Sequence, residues 1–238
     1  MTRRPIGLAP DAPAEGAGQD AKKYSTRNPL VRNLIARWLQ TVRLAVAQPD
    51  GTVVDVGVGE GIALQRIVPA GARIVGVEYR RDKLVLAAHH VEGLAGVVAD
   101  AGMLPLRDSA ADVTTCIEVL EHLVAPEPAV EELARITSRR CVVSVPWEPW
   151  FRLGNLGRGK NVTRIGNDIE HVQQFTPRRL ERLLARYFDV VDVVRVFPWL
   201  VAIAHVSSDG GALERSDARG RRRAQHRPRQ PARSTDGR

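Results

Sequence analysis

With 238 residues, 44% of them hydrophobic, the chain is long enough for one α/β domain with flanking tails, and it has no apolar run of about eighteen residues that would predict a membrane-spanning helix. Its formal net charge is +8, but residues 207–238, with nine arginines and four acidic side chains, supply +5 of it, which argues against a nucleic-acid surface on the domain itself. No apolar stretch follows the two N-terminal arginines as in a secretory signal, so we expect a cytoplasmic protein.

The chain divides into three parts by composition. Residues 1–21 and 207–238 are rich in Gly, Pro and polar or charged side chains and are expected to be disordered tails, because they can bury too little apolar surface to offset the entropy of ordering. Residues 22–206 are expected to form the domain. Within it, Cys116 and Cys141 lie in apolar runs and are expected to be buried thiols, neither a disulfide nor a metal site.

Strands and helices alternate along the domain. Strands are predicted over Val53–Val56, Arg73–Val77, Gly96–Ala99, Asp112–Ile117, Arg140–Val145, Val190–Val196 and Leu200–Val206. Helices are predicted over Ile62–Val68, from an Asp82 cap to His90, over Glu127–Thr137, and from Thr176-Pro177 to Tyr187. This order predicts a doubly wound, mostly parallel α/β sheet that ends in an antiparallel hairpin, with ligands bound beyond the carboxyl ends of the strands.

A glycine cluster follows the first strand, in the sequence VVDVGVGEG. Gly57, Gly59 and Gly61 are spaced by single residues, whereas a nicotinamide-dinucleotide fingerprint needs a glycine where Ile62 stands. Asp55 would repel a pyrophosphate and suits a cationic ligand instead. A tight turn made only for packing is the alternative explanation of the glycines, and both stay open at this point.

Acidic side chains also follow the next three strands. Glu78 ends the second strand, where a carboxylate can accept both ribose hydroxyls, and Asp100 ends the third, where one can accept an adenine amino group. The fourth strand leads into CIEVLEHL, with Glu118, Glu121 and His122. Each acid alone is typical of a solvated loop, but four acids in register after four successive strands indicate a ligand site.

The ordered segments VDVGVGEG, GVE, ADAGMLPL and ADVTTCIEVLEHL closely resemble the motifs of class I S-adenosylmethionine-dependent methyltransferases, nearest to the small-molecule domain of ubiquinone- and menaquinone-type enzymes. The resemblance covers roughly residues 50–145. It implies a Rossmann-like seven-stranded sheet of order 3-2-1-4-5-7-6 with strand seven antiparallel, S-adenosylmethionine as cofactor and S-adenosylhomocysteine as product. By this resemblance the cofactor-binding residues are Asp55, Gly57, Gly59 and Gly61 around the methionine end, Glu78 on the ribose, Tyr79 on the adenine face, Asp100 and Ala101 at the adenine edge, and Glu118 beneath the sulfonium.

The flanking segments are assigned by position. Residues 22–45 resemble a cap helix that closes over the cofactor, with an ordinary amphipathic helix as an equal alternative. Residues 146–176 are expected to form a substrate-side insertion, where Trp147, Trp150 and Phe151 either line an apolar substrate wall or cover the sheet edge. His122 and His171 are the candidate general bases, since imidazole titrates near neutral pH; for His122, a hydrogen bond to backbone is the plainer alternative.

The sequence therefore predicts an enzyme that transfers the methyl group of S-adenosylmethionine to a small, partly apolar metabolite by in-line displacement, without a metal. Three alternatives remain: an RNA-directed methyltransferase that uses the basic tail, a dinucleotide-dependent oxidoreductase, which Ile62 disfavours, and an inactive S-adenosylmethionine-binding module. The expected partner is a small-molecule acceptor, without nucleic acid or membrane. The oligomeric state stays open.

Overall fold

The computed structural model describes residues 24–47, 51–147 and 173–206. Seven strands form one sheet of order β3-β2-β1-β4-β5-β7-β6. They are β1 (Thr52–Val56), β2 (Arg73–Glu78), β3 (Ala95–Val98), β4 (Ala111–Ile117), β5 (Thr137–Pro146), β6 (Val190–Val196) and β7 (Trp199–His205). Neighbouring strands from β1 to β5 pair in parallel, while β7 pairs antiparallel with both β5 and β6. The predicted sheet order and the antiparallel last strand are confirmed.

Five α-helices connect or flank the described strands. They are α1 (Pro29–Val46), α2 (Ile62–Ile67), α3 (Arg81–His90), α4 (Glu127–Ile136) and α5 (Pro177–Leu184), with a 3-10 turn at Leu120–His122. The prediction that Asp82 caps α3 is wrong, because Asp82 lies inside the first turn, where it binds the Arg80 guanidinium. Thr176 caps α5 as predicted, by accepting a hydrogen bond from the Arg179 amide, but α5 ends at Leu184 rather than at Tyr187.

The core is split into two apolar clusters, one on each face of the sheet. Because side chains alternate along a strand, Val53 belongs to one cluster and Val54 to the other. Helices α1, α2 and α3 cover the first cluster, and α4 and α5 cover the second. The result is a three-layer α/β/α arrangement in which β1 and β4 are neighbours at the centre.

Helix α1 packs on this sheet along one buried face, formed by Ile35, Trp38, Leu39, Val42, Ala45 and Val46. Asn28 caps its first turn, because its side-chain oxygen accepts the Leu30 amide at 2.9 Å. At its other end the Arg140 guanidinium of β5 donates to the Ala45 carbonyl at 2.7 Å. The helix thus begins within the predicted cap region, residues 22–45, and ends one residue beyond it. Its last turn is hydrogen-bonded to the sheet.

The described residues include no helix long and apolar enough to cross a membrane. Residues 1–21 and 207–238 lie outside the described ranges, so their assignment as tails stays a prediction. The same holds for most of the expected substrate-side insertion, including Trp150, Phe151 and His171.

Candidate cofactor site

The carboxylate of Asp55 lies buried near the end of β1. Asp55 is 4% exposed and stands opposite Thr115 of β4, whose hydroxyl donates to Asp55 Oδ1 at 2.5 Å. Burial raises the pKa of Asp55 to about 7; the Thr115 hydrogen bond lowers it and the nearby Glu78 charge raises it. Ionising a buried carboxylate is costly when it stands alone, but a neighbouring cation makes the ionised form favourable.

The glycine turn follows directly. Gly57, Gly59 and Gly61 all have positive φ angles, of 81°, 55° and 78°. A Cβ on Gly57 would lie 2.3 Å from Val119 Cγ2, and a Cβ on Gly61 would lie 2.9 Å from the Cα of Ala87. Backbone conformation and close packing therefore account for Gly57 and Gly61 even without a ligand.

Glu78 joins this turn to the end of β2. It is 9% exposed; its Oε2 accepts the Gly59 amide at 2.9 Å and its Oε1 accepts the Arg80 amide at 3.0 Å. An ionised carboxylate has about four acceptor positions, so two backbone hydrogen bonds fix its orientation and leave capacity for hydroxyl donors. The glycine turn and the candidate ribose acid are one hydrogen-bonded unit.

The next candidates lie beyond β2 and β3. Tyr79 is 73% exposed directly after Glu78, which leaves an aromatic face open at this edge. Asp100 is exposed, and its Oδ1 accepts the Gly102 amide at 2.7 Å, which closes a short turn that contains the half-buried Ala101. Glu78 and Val98 are register partners, so the carboxyl ends of β2 and β3 lie side by side.

Glu118 follows β4 in an uncommon backbone conformation, with φ of +56°. Its amide donates to the Ser144 carbonyl of β5 at 2.8 Å, and its Oε1 accepts the indole N–H of Trp199 at 2.8 Å. Sequence reasoning identified Glu118 but missed Trp199. The antiparallel pairing of β7 brings Trp199 to the carboxyl end of β5, opposite Pro146.

Of the two candidate bases, His122 lies within the described residues and His171 does not. His122 is exposed at the end of the 3-10 turn after β4, and its amide donates to the Val119 carbonyl at 3.0 Å. Nearby, Glu121 is 1% exposed, and its carbonyl accepts the Gln173 amide at 2.9 Å. His171, the other candidate base, lies outside the described residues.

Arg135 of α4 clamps the segment after the Asp100 turn, and sequence reasoning missed it. Its guanidinium donates to both oxygens of Glu132 at 2.8 Å and to the carbonyls of Leu104 and Leu106 at 3.0 and 2.6 Å. Glu132 in turn accepts the Leu104 amide at 2.7 Å. Hydrogen bonds to Glu132, the strongest influence, raise the pKa of Arg135 above its ordinary value.

His90 makes a further contact that sequence reasoning missed. Its Nδ1 lies 2.7 Å from the carbonyl oxygen of Glu60 in the glycine turn, so the end of α3 is tied to that turn. No short motif signals this contact, because thirty residues separate the two partners.

These side chains suit a ligand with an ammonium group, a ribose and an adenine, such as S-adenosylmethionine. A buried carboxylate at Asp55 suits an ammonium, Glu78 offers fixed acceptors for ribose hydroxyls, and Tyr79 offers an open aromatic face. Across residues 24–47, 51–147 and 173–206, no group of three His, Cys, Asp or Glu side chains is arranged to hold a metal ion.

The observed sheet order is the one that the resemblance to class I methyltransferases implies, and acidic side chains lie at or just beyond the ends of β1 to β4. Comparisons with known proteins show the same similarity. Residues 54–144 match a family described as a methyltransferase domain. A ubiquinone biosynthesis O-methyltransferase of Bordetella avium (strain 197N) is 31% identical over 156 residues, which cover 62% of this chain and 60% of that protein. A demethylmenaquinone methyltransferase of Renibacterium salmoninarum is 27% identical over 139 residues, covering 58% of this chain and 59% of that protein.

Among solved structures, magnesium protoporphyrin IX methyltransferase of Synechocystis PCC 6803 with bound S-adenosylhomocysteine superposes with a TM-score of 0.57 at 18% identity, covering 76% of this chain and 89% of that one. The chain spans less than two thirds of the length of the two curated relatives. Residues 54–144 thus match a methyltransferase domain, and the sheet has the fold of the solved methyltransferase.

Proposed function

We propose that the chain transfers the methyl group of S-adenosylmethionine to a small, partly apolar metabolite. The observation that carries this proposal is Glu78, a buried carboxylate at the end of β2 whose two oxygens are held by the amides of Gly59 and Arg80. This arrangement presets acceptors for a ribose beside a glycine turn, while Asp55 beneath that turn favours a cation over a pyrophosphate.

S-adenosylmethionine, when bound, supplies a methyl group on a positively charged sulfur, which is already a good leaving group. The protein's part is to hold cofactor and acceptor in line and to exclude water. In this proposal Asp55, Gly57, Gly59 and Gly61 surround the amino-acid end, and Glu78 accepts from the ribose. Tyr79, Asp100 and Ala101 hold the adenine, and Glu118 lies beneath the sulfur.

The acceptor class rests on two supports. The curated relatives are named for ubiquinone biosynthesis and for demethylmenaquinone, which favours a quinone-type or other partly apolar small molecule. Trp147 is half-buried after β5, with the Arg195 guanidinium 5.8 Å from its ring centroid, so an aromatic side chain stands where residues 146–176 begin. We assign His122 and His171 as candidate bases for an oxygen or nitrogen acceptor.

The first test is calorimetric binding of S-adenosylhomocysteine to the wild-type chain and to Glu78→Ala. We expect a Kd around the micromolar range, roughly 8 kcal/mol, and a loss of about 1–3 kcal/mol in the variant, because a charged hydrogen-bonding partner of the ribose is removed. Glu92→Ala, which removes an exposed carboxylate just after α3, is the matched control and should bind like wild type.

Two further arms separate the rival functions. NADH should not bind, and NADH binding in place of S-adenosylhomocysteine would favour the oxidoreductase. Turnover of quinone-type phenols with S-adenosylmethionine separates an enzyme from an inactive binding module. If replacing both His122 and His171 leaves turnover of the true acceptor intact, these histidines are not the bases. A folded wild-type chain that binds no S-adenosylhomocysteine would contradict the proposed function.

A further inference from the structure

Two carboxylates lie near the ends of the neighbouring strands β1 and β2, and the fold holds them in different ways. Glu78 is oriented by two backbone amides, those of Gly59 and Arg80. For the Asp55 side chain, the Thr115 hydroxyl is the one hydrogen-bond donor in the part of the chain that the structure describes. Within these residues, the ionised form of Asp55 is therefore supported by a single side chain of the next strand.

Strand register brings Thr115 to Asp55. The two residues are Cα partners in the parallel pairing of β1 with β4, so their side chains lie on the same face of the sheet. Thr115 is 0% exposed, Asp55 is 4% exposed, and their oxygens are 2.5 Å apart. Because both side chains are buried, water cannot replace the hydroxyl if Thr115 is changed. The β-branched threonine also has few side-chain conformations in a strand, which holds the donor in one place.

The other groups around Asp55 oppose its ionisation. Glu78 adds a like charge from β2, and Cys116 on β4 is a neutral thiol, because burial raises its pKa well above the ordinary value. Among the described residues, no Lys, Arg or His side chain, including those of helices α1, α2 and α3 on this face, forms an ion pair or a hydrogen bond with Asp55. Burial is the largest influence and raises the pKa of Asp55 to about 7, so at about pH 7 the free protein is about half protonated there.

We propose that the ammonium of the bound cofactor displaces a proton from Asp55, and that Thr115 is the positioning residue that orients this carboxyl group and sets the pH range in which the cofactor binds. The inference rests on the proposed function, which places the amino-acid end of the cofactor against Asp55. In the exchange, the O–H bond of the Asp55 carboxyl group breaks and its proton passes to the solvent, while the ammonium keeps its own protons. The resulting carboxylate lies between the Thr115 hydroxyl and the ammonium.

Proton release is measured on the wild-type chain by calorimetric titration with S-adenosylhomocysteine at about pH 7, in phosphate and in Tris, two buffers that differ in enthalpy of ionisation. We expect about half a proton to be released for each ligand bound, because Asp55 is about half protonated in the free protein and ionised in the complex. Asp55→Asn should abolish this release. Wild type that binds without releasing a proton would overturn the inference and leave the proposed function standing, whereas wild type that does not bind would contradict the proposed function itself.

Thr115→Val tests the role of Thr115, since valine has nearly the same shape and lacks the hydroxyl. Loss of a hydrogen bond to the charged form should move the pH at which affinity for S-adenosylhomocysteine rises upward by about one to two units. The Kd should therefore increase about five- to fiftyfold at about pH 7, but only about twofold or less at about pH 9. The amino group of the ligand titrates in both experiments and cancels in the ratio of the two Kd values. A ratio that is the same at every pH would indicate a packing effect and would overturn the role of Thr115.

Thr114→Val is the matched control. Thr114 precedes Thr115 on β4 and is also 0% exposed, and its hydroxyl pairs with the Thr137 hydroxyl at 2.5 Å on the other face of the sheet. This variant should lose thermal stability much as Thr115→Val does, but keep the proton release and the pH dependence of wild type. Thr115→Ser, which restores a hydroxyl, should return the pH dependence to within about half a unit of wild type. An equal shift in Thr114→Val, or no rescue by Thr115→Ser, would show that the Thr115 hydroxyl does not set the pH range.

A readout on the wild-type chain covers the case in which Thr115→Val does not fold. The side-chain carboxyl ¹³C resonance of Asp55 should titrate with a midpoint of about 7 in the free protein and should stay at its ionised position through that range when S-adenosylhomocysteine is bound. A midpoint near the ordinary value of 3.8 in the free protein, or an unchanged midpoint in the complex, would overturn the inference.

Discussion

Asp55 is the residue at which we expect stability and cofactor binding to conflict. Its carboxylate is buried near the end of β1, and desolvation raises its pKa from 3.8 to about 7 despite the hydrogen bond from Thr115. A group whose pKa is raised by folding stabilises the folded chain in its protonated form, because the folded state then binds the proton more tightly than the unfolded state does. A cationic ammonium would instead favour the ionised form.

The sign of the pH effect follows. The stabilisation from protonated Asp55 is full below the unfolded pKa of 3.8 and is lost as the pH rises through about 7, so the free energy of unfolding should fall over that window. Asp55→Asn keeps an acceptor for Thr115 and carries no charge. At about pH 8 we expect this variant to be more stable than wild type by about 2–4 kcal/mol and to lack the slope below pH 7, measured by urea unfolding.

The same variant should bind S-adenosylhomocysteine about tenfold or more weakly, because the carboxylate that would face the ammonium is gone. Asp82→Asn is the control: Asp82 is exposed and its pKa is lowered by Arg80, so its titration falls below the window in question. An unchanged pH slope in Asp55→Asn would show that another group causes it. If Asp55→Asn is more stable than wild type but binds S-adenosylhomocysteine equally well, Asp55 is not part of the cofactor site.

At the scale of elements, Arg135 holds the segment after β3 to helix α4. Its contacts reach the Leu104 and Leu106 carbonyls, and Glu132 completes the clamp through the Leu104 amide. The Asp108 partner is 74% exposed and adds little, because solvent screens such pairs. Since the Asp100 turn lies only a few residues before Leu104, the clamp sets the position of the candidate adenine edge.

Arg135→Met should therefore lower the free energy of unfolding by about 1–3 kcal/mol, because two carbonyls and the Glu132 carboxylate lose their charged donor. It should also speed hydrogen exchange over residues 100–108 and weaken S-adenosylhomocysteine binding. Arg182→Met, an exposed arginine on α5, should change neither property. If exchange in the segment is unchanged in Arg135→Met, the clamp does not hold the turn.

The elements were predictable from sequence where burial decides them. Strand bounds came out within one or two residues at most strand ends, since central strands buried on both faces read as continuous apolar runs. Strand β5, which begins at Thr137 rather than at Arg140, was the main exception. Local signals failed where a neighbour competes, as at Asp82, which binds the Arg80 guanidinium instead of capping α3.

In the candidate site too, some residues could be predicted from local sequence and others could not. Asp55, Glu78, Asp100 and Glu118 could be proposed as site residues from position along the chain alone, because each lies at or just beyond the end of a predicted strand. Their supports were not found: Thr115 meets Asp55 through the β1–β4 register, and Trp199 meets Glu118 across eighty-one residues through the antiparallel β7. Contacts of this kind depend on strand order and register, which no local pattern contains.

At the scale of the whole molecule, all seven described strands lie within residues 52–205. The last described backbone contact runs from the Val206 amide to the Arg139 carbonyl at 3.1 Å, and His205 is already paired with Arg140 and Val190. All seven described strands thus lie before residue 207. Residues 207–238 nevertheless supply +5 of the net charge of +8.

We accordingly expect a chain that ends at Val206 to keep the thermal midpoint of the full chain and to bind S-adenosylhomocysteine with a Kd within about twofold. Retention on RNA, if the full chain shows any at low salt, should vanish in the shortened chain, because counterion release follows the number of basic side chains in contact with phosphates. Binding lost on truncation would assign residues 207–238 to the cofactor site. Steeply salt-dependent RNA retention that survives truncation would move the acceptor from a small metabolite to RNA.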